Sequence, residues 1–442
     1  MLCLSLLLVG TLLGCDSIRS LTDGGKPRAR YTPMLTLGEV GPAPRTEILP
    51  PGVQRHAVVV VIDTLREDAL QRARTPVLDG LVARGAQRTW AWAPSTWTAP
   101  SVVSLFTGMS VRQHGWDFPF PRKMEVAEQS YAPLPPVPLL AEVMTEAGFR
   151  STGLYGNRML GQGLGYGRRF HRWEWGEDEA LIRRAVEEIG RWEPGERHFL
   201  YLHLMGPHHP LQPGERSRSH WGLKKRDLGR GGALAIPESH EGGPIADTTY
   251  YRAYHAVIED TDERLGELLR ALRPVLDQTV LVVTSDHGEL LGEHGEMGHK
   301  TGVREPLTRV PFLAWNAPLL PAIVPGEVLP AVVTAATGVP HAWPGGLDHA
   351  GPLASQREGD LALSPDGRWK AVWDPDGQGE GVAFDLLEDP GEERPISPLP
   401  EPLAGLRESW EQGVSAGALQ VQEGGMSEAM QQALEELGYL DR

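Results

Sequence analysis

Apolar residues fall along this chain in two recurrent patterns. The first is a short unbroken run: His56–Ile62 reads HAVVVVI, Thr279–Thr284 reads TVLVVT, residues 198–204 read HFLYLHL and residues 309–314 read RVPFLA. Continuous runs of this length, rich in β-branched and aromatic residues, predict strands buried on both faces, as in a parallel sheet. Phe149–Tyr155 predicts another strand. The second pattern repeats every three to four residues. It predicts a helix over 138–148, stopped by Gly148, and a helix over 177–192 with Leu181, Ile182, Ala185, Val186 and Ile189 on one face. A long helix is predicted over 250–272, carrying Ile258, Leu265, Leu268 and Leu269. Strands and helices in turn predict an α/β fold: a central, mostly parallel sheet that includes the runs beginning at His56, Phe199 and Thr279, with helices on both faces.

After residue 345 the pattern changes. Trp369–Trp373 (WKAVW) and residues 382–384 (VAF) flank the turn sequence DPDG, which predicts a small antiparallel sheet within 345–389. A helix is predicted over 426–437. Residues 215–243 carry Lys, Arg, Gly and Ser with little apolar content, the pattern of an insertion or a substrate-facing loop.

Polar residues gather where the apolar runs stop. Asp63 follows the first strand, and Asp286 and His287 follow the Thr279–Thr284 strand. Open α/β sheets bind ligands beyond the carboxyl ends of their strands, and two carboxylates with an imidazole there make a divalent-metal set. Asp63 could equally be a helix N-cap. Strand 198–204 runs into MGPHHP, where His208 and His209 make either a ligand cluster or ordinary loop polarity. The stretch PSTWTAPSVVSLFTG (94–108) predicts a turn into a short buried helix ended by Gly108. A hydroxyl at that helix start faces unpaired N–H groups, so Thr98 is a candidate nucleophile; the alternative is a plain N-cap.

Charge and cysteine content narrow the classes. The 442 residues include 42 Lys and Arg against 58 Asp and Glu, a net charge of −16, with no basic stripe of the kind that binds nucleic acid. Cys3 and Cys15 are the two cysteines. The remainder of the chain can therefore form no disulfide and no thiolate metal site. Both lie in MLCLSLLLVGTLLGCDS, an apolar run too short for a comfortable membrane span. Its Leu-Leu-Gly-Cys end resembles the lipobox of bacterial lipoproteins. That resemblance implies cleavage before Cys15, a lipid on Cys15 and a place in the cell envelope on the periplasmic or extracellular face. An uncleaved anchor or an ordinary export signal are the alternatives. The Pro/Gly-rich segment 16–55 then reads as a tether, 56–344 as a catalytic domain, and 345–442 as a C-terminal subdomain with a helical tail.

Taken in order, the polar motifs resemble those of the sulfatase family within the alkaline phosphatase superfamily. VVIDTLRED (60–68) resembles the first metal-binding strand end, TAPSVVSLFTG (98–108) the nucleophile motif and TSDHGE (284–289) the second metal-binding strand end. GEHGEMGHK (292–300), with Glu305, resembles the anion-binding loop, and FDLLEDP (384–390) a C-terminal strand and turn. The resemblance implies a three-layer sandwich and a divalent cation (Ca, Mg, Mn or Zn) held by Asp63, Thr98, Asp286 and His287. It implies Thr98 as nucleophile, His208 in contact with the transferred group and His299 with Lys300 as the anion-binding pair. A sulfate or phosphate ester is the implied substrate. The departures are specific. Thr98 replaces the Cys or Ser that becomes formylglycine, Val102 replaces an Arg, Thr64 the second Asp of a pair, and Gly206 an Asp before Pro-His. Asn157-Arg158-Met159 replaces a Lys-x-His. Thr nucleophiles in the superfamily resemble those of phosphodiesterases and phosphoethanolamine transferases. A phosphoryl transferase and an inactive binding protein of the same fold are thus the alternatives to a hydrolase.

Overall fold

The run His56–Ile62 forms strand β1, and its side chains serve two cores at once. Ala57, Val59 and Val61 enter one apolar cluster, and Val58, Val60 and Ile62 enter the other. A strand apolar on both faces loses little burial on slipping one residue, so its register is set by its ends. Sliding β1 forward by one residue would draw the Asp63 carboxylate into the sheet, at a cost of several kcal/mol unless paired.

The protein is described by a computed structural model over residues 54–116, 137–161, 165–300, 302–340, 342–343, 346–347, 351–357, 360–374 and 381–415. The remaining strands are β2 (Gln87–Trp92), β3 (Phe149–Tyr155), β4 (Arg172–Trp175), β5 (Arg197–Leu204), β6 (Thr279–Thr284), β7 (Leu290–Leu291), β8 (Met297–Gly298), β9 (Arg309–Trp315) and β10 (Ile323–Pro325), followed by β11 (Leu353–Arg357), β12 (Asp360–Ser364), β13 (Trp369–Trp373) and β14 (Val382–Asp385). Eight of them form one sheet in the order β10-β2-β9-β6-β1-β5-β3-β4. Within it β9 alone runs against its neighbours β2 and β6. The three expected runs lie side by side at the centre, as β6-β1-β5.

Helices cover both faces. Thr98–Thr107, Leu140–Glu146 and Leu329–Thr337 send their buried residues into the first cluster. Pro76–Ala83, Asp178–Ile189 and Thr249–Leu272 send theirs into the second. The result is the three-layer sandwich that the resemblance implies. Strands β11–β14 make the separate antiparallel sheet, docked against the edge of the large one through Trp90, Trp92, Leu353, Ala362, Phe384 and Leu386. Beneath that contact the buried Lys370 ammonium lies 2.7 Å from Glu392 and 3.6 Å from Glu305. Most of the turn between β13 and β14, the expected 426–437 helix and the whole export segment lie outside the described residues. No helix among the described residues is long and apolar enough to cross a membrane.

Candidate active site

The strand register assembles the site. Val61 of β1 lies opposite His203 of β5 and opposite Thr284 of β6, and Tyr155 of β3 also lies opposite His203. Residues just past these strand ends therefore share one edge of the sheet: Asp63 after β1, Asn157 after β3 and Asp286 after β6, with His203 near the end of β5. All four are fully buried. Ligand atoms of Asp63, His203 and Asp286 lie within 4.8 Å of one another. His287 Nε2 stands 3.6 Å from Asp63 Oδ1 and 3.6 Å from Asp286 Oδ2. The His287 ring is oriented by its other nitrogen, Nδ1, 2.9 Å from the Gly288 carbonyl.

Thr98 joins this cluster across the sheet. It is the first residue of its helix, and the N-cap is Trp97, so Thr98 does not cap. Ser101 Oγ instead braces the turn, accepting from the Ser95 N–H at 3.1 Å and donating to the Ser95 carbonyl at 2.9 Å. Thr98 Oγ1 is left to face the cluster, 3.4 Å from Asp63 Oδ2 and 3.4 Å from His287 Nε2. Asn157 Nδ2 donates to it at 3.1 Å and to Asp63 Oδ2 at 2.8 Å. The Asn157 amide cannot be turned over without loss, because its Oδ1 accepts from the Met159 N–H at 3.0 Å.

His299 lies above His287, with ring centroids 4.4 Å apart, and its Nδ1 is 2.9 Å from Glu289 Oε1. Burial, and then the charges of His287, His208, His209 and Arg357, push the His299 imidazole well below its ordinary pKa. His208 stacks on His209 and lies 5.2 Å from His299, with its Nδ1 on the His209 carbonyl at 2.6 Å and its buried Nε2 lacking a hydrogen-bond partner. Lys300 is exposed, and burial followed by the charges of His208 and Lys300 lowers the His209 imidazole to about 3 against the pull of Asp63. Each residue expected at the site is thus present at this edge, with Lys300 at its rim.

The cluster suits a divalent cation. Asp63 Oδ1 and Asp286 Oδ2 are buried without a hydrogen-bond partner. Burial and the Asp63 charge push the Asp286 carboxyl above its ordinary range. Asp63 itself is held low: burial opposes ionisation, but the charge of His208, a hydrogen bond from His203 and the charges of His287 and His203 outweigh it. Two carboxylates this close need positive charge between them, and two carboxylates with two imidazoles are donors that Zn, Mn or similar ions accept. Thr64, at the position of the absent second Asp, has φ 59°, a strained conformation for a β-branched residue, and its buried Oγ1 also lacks a partner.

His203 was not singled out from the sequence. Its signal was one imidazole in an otherwise apolar buried strand, where a polar side chain demands a partner. Asn157 was noted as a departure from a Lys and placed with no role; the structure puts its amide on the candidate nucleophile. Val102, where an Arg was the comparison, is wholly buried in the first core cluster. The loop over 215–243 packs on the hairpin that leads to His299: the His240 N–H donates to the Gly295 carbonyl at 3.0 Å, and a Cβ on Gly298 would come within 2.5 Å of Ile236. A cavity of about 230 Å³ opens at this junction, lined by His240, Ile245, Glu293, His294 and Glu393 and by none of the cluster residues.

Comparison with known proteins agrees with this fold. The family described as Sulfatase matches residues 55–342. An arylsulfatase of Clostridium perfringens is 25% identical over 183 residues, which are 37% of this chain and 36% of that protein. The chain therefore matches little more than a third of that relative's length. Among solved structures, Ps i-CgsB in complex with k-i-k-neocarrahexaose superposes with TM-score 0.62 at 18% identity, covering 87% of this chain and 98% of that one. A phosphonate monoester hydrolase of Agrobacterium radiobacter gives TM-score 0.58 at 15% identity, covering 82% and 95%.

Proposed function

The chain belongs to the sulfatase family, and on that premise we propose that it is a metal-dependent hydrolase of sulfate or phosphate esters with Thr98 as nucleophile. The observation that carries this is the Thr98 hydroxyl, buried at the carboxylate–imidazole cluster and held by the Asn157 amide at 3.1 Å. Asp63, Asp286, His203 and His287 would hold the cation, which when bound supplies positive charge that favours the Thr98 alkoxide and the charge on the transferred group. Asn157 donates to the attacking oxygen in a fixed direction. Thr98 Oγ1 gives its proton to Asp63 Oδ2, 3.4 Å away, and forms a bond to sulfur or phosphorus while the ester oxygen departs with a proton from His208; His208 then takes a proton from the water that cleaves the Thr98 ester, and the proton on Asp63 returns to Thr98 Oγ1 as sulfate or phosphate leaves. His299, kept neutral by its surroundings, is a poor proton donor near neutral pH, which leaves the acid role to His208. Thr98 cannot become the aldehyde hydrate of formylglycine enzymes, and an alkoxide nucleophile suits phosphorus as well as sulfur. The phosphonate monoester hydrolase among the structural neighbours supports including phosphorus esters.

The test is turnover of aryl sulfates, aryl phosphate monoesters and diesters, with metal analysis of the purified protein. Thr98→Ala is expected to lower kcat by roughly 10³-fold or more with the fold intact, and Thr98→Ser to keep part of the activity. Wild-type turnover in Thr98→Ala would remove Thr98 from the reaction.

A further inference from the structure

The proposed substrates bring negative charge to a site that already holds Asp63 and Asp286, and the nucleophile helix brings no cation of its own. Ala99, Pro100, Ser101 and Val102 follow Thr98, and all are wholly buried. A cation does reach this place from the other sheet. Arg357 ends β11, and β11 is tied to the segment that leads into Thr98. The Gln356 N–H donates to the Pro94 carbonyl at 3.0 Å, Ser95 Oγ donates to the Gln356 carbonyl at 2.6 Å, and Ser95 and Gln356 form a parallel bridge. One residue further, the Arg357 guanidinium carbon lies 5.0 Å from the ring centre of Trp97, the residue before Thr98. Its Nη2 donates to the carbonyl of Lys300, the residue after His299, at 2.8 Å. Arg357 is 3% exposed, and its charge is among those felt at His299.

We propose that Arg357 is an anion-binding residue of this site, holding a non-bridging oxygen of the transferred sulfuryl or phosphoryl group; this rests on the ester hydrolase assignment above. The guanidinium is flanked by the neighbour of the nucleophile on one side and the neighbour of His299 on the other. It keeps its charge at every working pH, its planar fork matches the oxygens of a sulfuryl or phosphoryl group, and the Trp97 indole beside it fixes its plane. Burial strengthens that interaction relative to a cation in water. The small antiparallel sheet is on this account a part of the active site, because its edge strand delivers the charge that the nucleophile helix lacks.

The experiment titrates the purified full chain with inorganic sulfate and with orthophosphate by calorimetry, alongside steady-state kinetics on the best aryl ester. Arg357→Gln is expected to weaken anion binding by roughly 10- to 100-fold, the loss of a charged hydrogen bond, and to lower kcat/KM by a similar factor. Arg357→Lys keeps the charge without the fork and is expected about tenfold weaker than wild type. Arg183→Gln, which removes an exposed cation on the helix Asp178–Ile189 away from the site, serves as control and should bind the anions as wild type does. Wild-type anion affinity in folded Arg357→Gln overturns the proposal, as does wild-type affinity in Arg357→Lys should the Gln variant not fold, or a wild-type protein that binds neither anion. Anion binding that depends on Arg357, without turnover of any ester, would sink the hydrolase assignment and leave this one standing. Turnover with Arg357-independent anion binding would do the reverse.

Discussion

Asn157 makes the smallest-scale choice in the molecule. Its Nδ2 divides between Asp63 Oδ2 and Thr98 Oγ1, so one amide orients both the nucleophile and a carboxylate beside it. A Lys at this position would put a full charge there; an amide gives a directed donor with no charge to compete with a cation. Asn157→Ala is therefore expected to reduce kcat by about 10²-fold with KM little changed, the effect of removing one preorganised donor. Kinetics with a parallel thermal melt check it, and a fall in melting temperature without a fall in kcat would reduce Asn157 to a structural part. At this scale the sequence was uneven. Asp63, Asp286 and His287 were legible because a charged residue ending an apolar run has few other uses. His203 and Asn157 were not, because a single His or Asn carries no spacing signal, and their partners lie 140 and 94 residues away.

At the scale of elements, the nucleophile helix is held from beneath by a histidine. His114 ends the short helix Val111–His114; its Nδ1 accepts from the Trp116 N–H at 3.0 Å, and its Nε2 lies 3.0 Å from Ser104 Oγ in the nucleophile helix. Burial pushes this imidazole from 6.5 down to about 3, against a hydrogen bond to the Pro100 backbone. The folded state thus binds fewer protons here than the unfolded chain. The stability this represents is present above about pH 6.5 and is lost as pH falls toward 3, at up to about 1.4 kcal/mol per pH unit. His114→Gln should remove that slope: urea unfolding at pH 7, 6 and 5 is expected to show the gap between wild type and variant narrowing with acid. A gap that stays constant would show that His114 is not buried neutral. The helices Leu140–Glu146, Asp178–Ile189 and Thr249–Leu272 were legible from their apolar period, within two or three residues at each end. What periodicity cannot show is that His114 packs on Ser104.

At the scale of the whole molecule, the two larger sheets meet through the apolar contact of Trp90 and Trp92 and again at residues 94–97. Residues 94–97 are bonded to the small sheet through Gln356 and to the loop after His299 through Thr96 Oγ1, which donates to the Gly302 carbonyl at 2.9 Å. Ahead of the fold lies the segment ending in Cys15, outside the described residues, which we propose is a lipid attachment site that tethers the catalytic domain to a membrane. Cys15→Ala is expected to block processing or release the protein from the membrane fraction, read by fractionation and intact mass; unchanged processing and membrane retention would dismiss the lipid. By itself the sequence determined the α/β class, the strands at His56, Phe199 and Thr279 as members of one mostly parallel sheet, the antiparallel sheet near the C-terminus and the family motifs, since each depends on neighbours in the chain: apolar period, turn residues, a charge at a strand end. Only the tertiary structure decided that β9 runs against its neighbours, that Thr98 faces the cluster instead of capping its helix, that His203 and Asn157 arrive at the same place, and that Arg357 comes to lie beside Trp97. Those outcomes depend on which strands lie side by side and in what register, and pairings between residues 140 or 261 positions apart leave no local pattern to read.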